Sequence, residues 1–551
     1  ERKLKIGKSI REKNKTSKRE EAQNPNYSSS FSSNTKVSTY AWKLLVILSS
    51  IATMAMYAET MLIPAIPDVI RDFQVSYGMS SWILTAYLVT GAVTTPIAGK
   101  LSDIYGKKKV LLIIMIIYAA GVFIGGFATN IYFLLSIRAI QGIGMSMFPI
   151  AFGIIRDQFP REKISIGQGV ISSMFAAGAA IGLSIGAFIV QFFGWHATFI
   201  TIIPISISLL IVIWRFVHLD EGESNKYQWS NNQSTAENVK SESSSLQAKK
   251  DTSSRPDRRI DIKGAISLAA AITSFLLILT LIETSSNNMN TELPSMSSSS
   301  SSSNYQIGAF VAFAIISFIV FVQIERKEKN PLVDLKLVLN KAILPANLII
   351  LIVGLSNFMI FQTIPILVRN PEPLGFGADA ISTGSIQLPF ALVFLIFGPT
   401  SGFIISKLGS LKPIIFGTII ITISFICLLL FHSIEMQVSV NLGLLATGLS
   451  FAGVAAMNVI ILATPGEYSG ISLGIATLIR IIGSAIGPAL AAMYMQMNQS
   501  ILNVNGLMRS FPSDVAFDMI FTTASVIAFV SIILAVLLRG RVVKMAIPNL
   551  S

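Results

Sequence analysis

Long apolar windows alternate with short polar breaks from residue 43 to residue 538. About twenty apolar residues suffice to cross a bilayer as a helix, where every backbone group is bonded within its own segment. The pattern predicts spans near 43–66, 79–99, 108–128, 131–154, 164–192 and 195–216. A polar stretch without apolar periodicity, 218–260, interrupts the series, and two further spans follow near 262–283 and 306–324. Six more lie near 343–367, 381–405, 411–431, 436–460, 469–496 and 516–538. The expectation is an all-α integral membrane chain of 14 spans grouped six, two, six.

Charge orients the series. The tail 1–42 is rich in Lys and Arg, which places it in the cytoplasm by the positive-inside rule, and it is too long and too charged for a secretory signal. Lys100, Lys107 to Lys109, Arg156, Arg161, Lys163, Arg255, Arg258, Arg259, Lys263, Arg326, Lys327, Lys329, Arg539, Arg541 and Lys544 then fall on inner segments of the same alternation. The opposite loops are poor in Lys and Arg, with Arg369 and Arg509 as exceptions. Both termini are expected in the cytoplasm. The divisions are a basic tail 1–42, a six-helix half 43–217, a flexible linker 218–260, two inserted helices 261–325, a connector 326–342, a second half 343–539 and a tail 540–551. The run Ser297 to Ser303 reads as a disordered outer loop.

Composition agrees: of 551 residues 52% are hydrophobic and only 13% charged. The net charge of +13 sits in the tail and alternate loops, so it points to an anionic membrane face and not to nucleic acid. The single cysteine, Cys427, forms no internal disulfide, and the histidines His196, His218 and His432 are scattered, so neither thiol chemistry nor a metal site is expected. No nucleotide-binding loop and no nucleophile–base pair stands out, which argues against an enzyme and against ATP drive.

One turn repeats. Gly99-Lys-Leu-Ser-Asp103-Ile-Tyr-Gly106-Lys107-Lys108-Lys109 has a weaker echo in Gly402-Phe-Ile-Ile-Ser406-Lys-Leu-Gly409-Ser410-Leu-Lys412, 303 residues on. Pro160 and Glu162 match Pro465 and Glu467, and Gly178 and Gly182 match Gly483 and Gly487, all 305 residues on. The two six-helix groups therefore read as parallel repeats, with the substrate site expected near the midplane between them.

The six-two-six layout and the first turn resemble the major facilitator superfamily, and within it the fourteen-span drug:proton antiporters. The turn matches the loop signature G-x-L-x-D-x-x-G followed by three basic residues. Arg138-Ala-Ile-Gln141-Gly142-Ile-Gly144 looks like the fourth-span signature, and Asn330-Pro331-Leu-Val-Asp334 resembles the segment after the inserted pair. The resemblance implies proton-driven export of small hydrophobic or amphipathic compounds across the plasma membrane by alternating access, with no cofactor beyond the proton gradient. Two rivals remain: a proton-coupled importer of a polar or anionic nutrient, and a sensor or scaffold that moves nothing.

Several residues carry the chemistry. Glu59 is the only carboxylate well inside a span, and Arg138 lies at about the same depth. Intramembrane charges are costly and face a cavity or a partner, so the two are expected to meet, as a proton site or as a permanent ion pair. The family's first-span aspartate aligns with Ala58. Gly99, Asp103, Gly106, Lys107 and Lys108 form a gating latch by resemblance, or else a plain turn with topogenic lysines; Asp103 is placed to cap a helix start or pair with a base. Gly178, Gly182, Gly186, Gly483, Gly487 and Pro488 form helix faces for close packing, and resemble the antiporter signature except at Leu183 and Ala187. Arg480, mid-span with no evident intramembrane acid, bonds carbonyls or meets an anionic substrate group. Trp82, Tyr87, Gln141, Asn357, Gln362 and Gln387 are cavity candidates.

Overall fold

A computed structural model describes residues 37–160, 164–217, 263–264, 266–275, 278, 299–328, 338–340, 343–464, 469–504 and 507–546. The linker 218–260, the segment at Asn330 and Asp334, and the side chains of Asp103 and Ser406 lie outside what it describes.

The first half runs α1 (Thr39–Thr60), α2 (Ile66–Phe73), α3 (Tyr77–Tyr105), α4 (Lys107–Gly125), α5 (Ile131–Gly142), a 3-10 turn (Ile143–Ser146), α6 (Met147–Gln158), α7 (Ile164–Phe193) and α8 (Trp195–Phe216). After α9 (Ser299–Lys327) the second half runs α10 (Ile343–Arg369), α11 (Ala380–Leu408), α12 (Leu411–Leu430), α13 (Glu435–Ala463), α14 (Ser469–Met497), an antiparallel hairpin of β1 (Gln499–Val504) and β2 (Leu507–Pro512), and α15 (Asp514–Ala546). Among the described residues, 11 helical spans are long and apolar enough to cross a membrane. Of the first inserted span, only the stretch Ile266–Phe275 is described as a continuous apolar helix.

Helix starts follow capping chemistry. Ser38, Ser76, Asn130 and Asp379 each accept a hydrogen bond from the backbone N–H three residues on, so four spans begin where a short polar side chain replaces a missing helical carbonyl.

Four features depart from the pattern reading. The first span ends at Thr60 and a separate helix, α2, follows, because Pro64 and Pro67 cannot continue the α1 hydrogen-bond ladder. The fourth span is α5 and α6 joined through the 3-10 turn. The serine run is helical from Ser299, since serine suits a first helical turn and the apolar stretch behind it propagates the helix. Helix α15 continues to Ala546, so the first part of the expected tail 540–551 is helical; its basic residues favour a helix C-terminus.

The repeat is visible in the packing. Helix α7 lies on α1 as α14 lies on α10, and across the seam between the halves α7 meets α11 as α14 meets α3. The two repeated turns each hold a glycine at positive φ, 94° at Gly106 and 74° at Gly409, a region open to glycine without strain. The seam is closed at the end of the bundle that bears the hairpin. There the Tyr77 N–H donates to Gln496 Oε1 (3.1 Å), the Ala380 N–H to Gln191 Oε1 (3.1 Å), and Gly384 packs against Leu183 and Ala187. At the opposite, loop-signature end, Gly99, Gly398, Gly402 and Gly474 have nothing among the described residues within 4 Å of where a Cβ would stand.

Candidate functional site

A cluster of buried charges and phenols lies near the centre of the first half. Glu59, in the last turn of α1, is 1% exposed, and Arg138 of α5 is fully buried. Gly142 and Gly144, just beyond Arg138, let the broken fourth span press on Tyr87 of α3 and Tyr118 of α4, where a Cβ would lie under 3.0 Å from either neighbour. That approach seats the Arg138 guanidinium 4.7 Å over the Tyr87 ring. Its Nε donates to the Ile83 carbonyl (3.0 Å), and its Nη1 to Gln141 Oε1 (3.0 Å) and the Ala58 carbonyl (3.4 Å).

Glu59 and Arg138 are brought together but do not close an ion pair within 4.0 Å among the described residues. Glu59 lies within coulombic reach of both Arg138 and Arg480. Arg480 thus does have an intramembrane acid, and that acid sits in the other half of the molecule. The sequence hid this because residues 59 and 480 lie in different halves of the chain. Among the described residues, Glu59 Oε2, Arg138 Nη2, Gln141 Nε2, and the hydroxyls of Tyr87 and Tyr118 are buried without a hydrogen-bond partner. Unpaired polar atoms at such density in a span core are places for water, protons or a ligand.

The remaining cavity candidates lie along the seam and in the second half. Gln362 Nε2 donates to Ser80 Oγ across the seam (3.0 Å), leaving its Oε1 unpaired. Thr85 Oγ1 donates to the Ala485 carbonyl (3.3 Å), one turn from Arg480. Asn357 of α10 and Gln387 of α11 also keep buried amide atoms unpaired, beside a run of rings Phe358, Phe361, Phe390 and Phe394. Trp82 is half-buried on α3.

At the hairpin end one pair escaped the sequence reading. Arg369 of α10 donates to both carboxylate oxygens of Asp68 of α2, at 2.7 and 2.9 Å, and Arg71 lies 3.0 Å from the same carboxylate. The signal was present: Arg369 is one of the two exceptions to the charge rule. Beside it a cavity of about 530 Å³ is lined by Arg71, Arg369, Arg509, Gln496 and the hairpin.

The loop signature is a built tie. Lys107 Nζ pairs with Asp157 and donates to the Gly153 carbonyl (3.2 Å), and Lys108 Nζ donates to the Trp214 carbonyl (3.1 Å). The second copy uses neutral groups at the matching positions, Asn458 Nδ2 donating to Ser410 Oγ (2.8 Å). Asp103 lies in the last turn of α3, with its side chain outside the described part, and Gly106 occupies the N-cap of α4. The glycine faces pack closely. A Cβ on Gly178, Gly182 or Gly186 would lie under 3.0 Å from α1 or the residue after it, and one on Gly483 or Gly487 under 3.0 Å from α10. Pro488 lies inside α14, directly after that face.

The sequence profile of the Major Facilitator Superfamily matches residues 48–488. The chain belongs to the major facilitator superfamily. Among its superfamily relatives, Multidrug resistance protein 3 of Bacillus subtilis is 27% identical over 368 residues, covering 67% of this chain and 62% of that relative's own length. Multidrug transporter protein MdtP of the same organism is 25% identical and covers 77% of this chain and 69% of its own. Multidrug resistance protein Stp of Mycobacterium tuberculosis is 23% identical over 81% of this chain and 74% of its own. The crystal structure of the human organic anion transporter MFSD10 (TETRAN) shares the superfamily fold, with a TM-score of 0.55, 14% identity and coverage of 90% and 99% of the two chains. Membership of the superfamily makes the chain a membrane transporter and not an enzyme.

Proposed function

We propose that this chain is a fourteen-span, proton-coupled secondary transporter of the plasma membrane that exports small hydrophobic or amphipathic compounds by drug:proton antiport. Both termini and the loop-signature end face the cytoplasm, and the hairpin end faces outward. The cluster of Glu59 and Arg138 carries the reading, because a buried acid beside a buried guanidinium, both with unpaired polar atoms in a span core, is a proton site with tunable surroundings. The multidrug relatives support the substrate class. The proton gradient is the energy source: a proton entering down 100 mV supplies about 2.3 kcal/mol. Glu59 takes a proton from the outer side and releases it inward, while the aromatic run near Asn357 and Gln387 holds the apolar part of the substrate. The closed rim at the hairpin end supports a stage in which the site is shut off from the outer side.

Reconstituting the Glu59→Gln variant in proteoliposomes tests this. Substrate-driven proton movement should disappear while the folded chain persists; undiminished proton movement sinks the mechanism. A second reading, proton-coupled uptake of a polar or anionic solute, is favoured by one observation: two arginines, buried Arg138 and half-buried Arg480, lie within coulombic reach of one carboxylate. Counterflow separates the two readings, since entry of a small anion together with the proton contradicts efflux.

A further inference from the structure

Cations are scarce at the hairpin end of the bundle. In its connections 61–76, 126–130, 370–379, 431–434 and 498–513 the Lys and Arg residues are Arg71 and Arg509, and Arg369 ends α10. The same connections carry Asp68, Asp72, Glu372 and Asp379. Yet all three arginines, from three distant stretches of chain, line the one cavity of about 530 Å³ described above. Scatter over an acidic rim would not gather them in one hollow.

The hollow is rich in donors and short of acceptors. A guanidinium has five N–H donors. Arg369 spends two of them on Asp68. Arg71 lies 3.0 Å from Asp68 and 3.4 Å from Asp72, which also accepts from Trp195 Nε1 (3.0 Å). Arg509, on β2, is exposed, and no acid lies within 4.0 Å of it among the described residues. Two carboxylates thus stand against three guanidiniums. Neighbouring amide oxygens are engaged as well, Gln496 Oε1 by the Tyr77 N–H and Gln499 Oε1 by the Ser510 hydroxyl. Ile70, Ile366 and Phe511 add apolar wall. A surplus positive charge, a surplus of N–H donors and an apolar wall suit an organic anion of drug size.

We propose that this hollow binds an amphipathic oxyanion, a carboxylate, sulfonate or phosphate ester on an apolar body, through Arg71, Arg369 and Arg509. The oxyanion belongs either to a free amphiphile or to a lipid headgroup, which present the same chemistry. Arg71 stands on the first half, and Arg369 and Arg509 on the second. A bound oxyanion therefore bridges the seam and favours the closed rim. The site is independent of the central cluster and of the direction of transport.

The test uses the full chain in phosphatidylcholine nanodiscs, with binding of naphthalene-2-sulfonate measured by equilibrium dialysis against empty discs. Arg509→Gln, which removes no ion pair among the described residues, should weaken binding about tenfold, the loss expected of one charge-assisted contact. Arg71→Gln should do the same while leaving the Asp68–Arg369 bonds in place, and it carries the test if Arg509→Gln fails to fold. Arg539→Gln, an exposed arginine near the far end of α15, should bind as wild type. Wild-type affinity in Arg509→Gln, equal binding of the neutral naphthalene-2-methanol, or an equal loss in Arg539→Gln overturns the site. Phosphatidylglycerol discs then assign the source, since their surface charge lowers both affinities alike. A retained difference between wild type and Arg509→Gln assigns a free amphiphile, and a vanished one a headgroup already seated. Bridging is read by spin labels at Phe127→Cys and Met436→Cys, exposed positions at the hairpin end of the two halves, in a Cys427→Ser, Asp68→Asn background. Sulfonate at ten times its Kd should raise the closed-to-open ratio about tenfold, and an unmoved ratio refutes the bridge.

Discussion

Alanine at Gly483 and alanine at Gly99 are chemically identical changes with opposite expected effects. Both glycines lie inside helices, so both gain about 0.8–1 kcal/mol of helix propensity on substitution. At Gly99 nothing stands within 4 Å of the new Cβ. At Gly483 the Cβ would lie under 3.0 Å from the Leu351 backbone, where ordinary contact needs 3.4–4 Å, and backbone cannot rotate away as a side chain can. The two helices must part by several tenths of an ångström, and overpacking of that kind costs about 1–3 kcal/mol. The propensity gain cancels between the two sites, so the overpacking cost alone separates them. Thermal unfolding of the purified chain in detergent should rank Gly99→Ala at or above wild type and Gly483→Ala below it, with Gly178→Ala, the repeat's counterpart against Thr53 and Met56, also below. Equal melting of Gly483→Ala and Gly99→Ala would refute the close-packing account of the glycine faces.

At the outer rim, Asp68→Asn or Arg369→Gln removes a two-bond charged contact between side chains 11% and 17% exposed, at a cost of about 1.5–3 kcal/mol. Maleimide labelling of a cysteine at Ser76, in a Cys427→Ser background, should quicken in both variants; unchanged labelling rules the pair out as a closure. Asp379, which caps α11, has its carboxyl held below the usual carboxylate range, first by the Ser382 backbone N–H. A lowered folded value means the stabilisation is whole above the unfolded value of about 3.9 and is lost as pH falls through the folded one. Asp379→Ala should therefore cost about 1 kcal/mol near neutral pH, and the gap in melting temperature should close on strong acidification. A gap that stays constant with pH excludes the charged cap.

Much of the architecture was legible because a bilayer leaves the backbone few options. Apolar windows marked the spans, and the twin turns at Gly106 and Gly409 announced the duplication. The break between α1 and α2 was written in Pro64 and Pro67, yet an apolar window spans both sides of it and concealed the change of direction. The hairpin after α14 was written in Asn505-Gly506, the dipeptide that favours a two-residue turn between paired strands, but a reading tuned to long apolar windows passed over so short a signal. Within the site, Glu59 and Arg138 were found by their cost: a charge in a span demands a reason. The link from Glu59 to Arg480 was not legible, because it depends on how two halves dock and no local spacing encodes that. Asp68 drew no reading from the sequence, because its partner Arg369 lies 301 residues away in the other half.

The rim pair has a consequence for how the chain is made. Asp68 and Arg369 are separated by 301 residues. At about 5–20 residues per second, a ribosome needs roughly 15–60 s to cover that interval. For the later part of that time, once residue 217 has been made, the first half stands in the membrane with Arg71 as the cation beside its rim carboxylate among the described residues. The first half is thus born with an unfilled socket, and the arrival of Arg369 reports that α10 has been threaded the right way round. A truncated or misthreaded second half leaves the socket open, so quality-control factors have a local mark of incomplete assembly on the half already built.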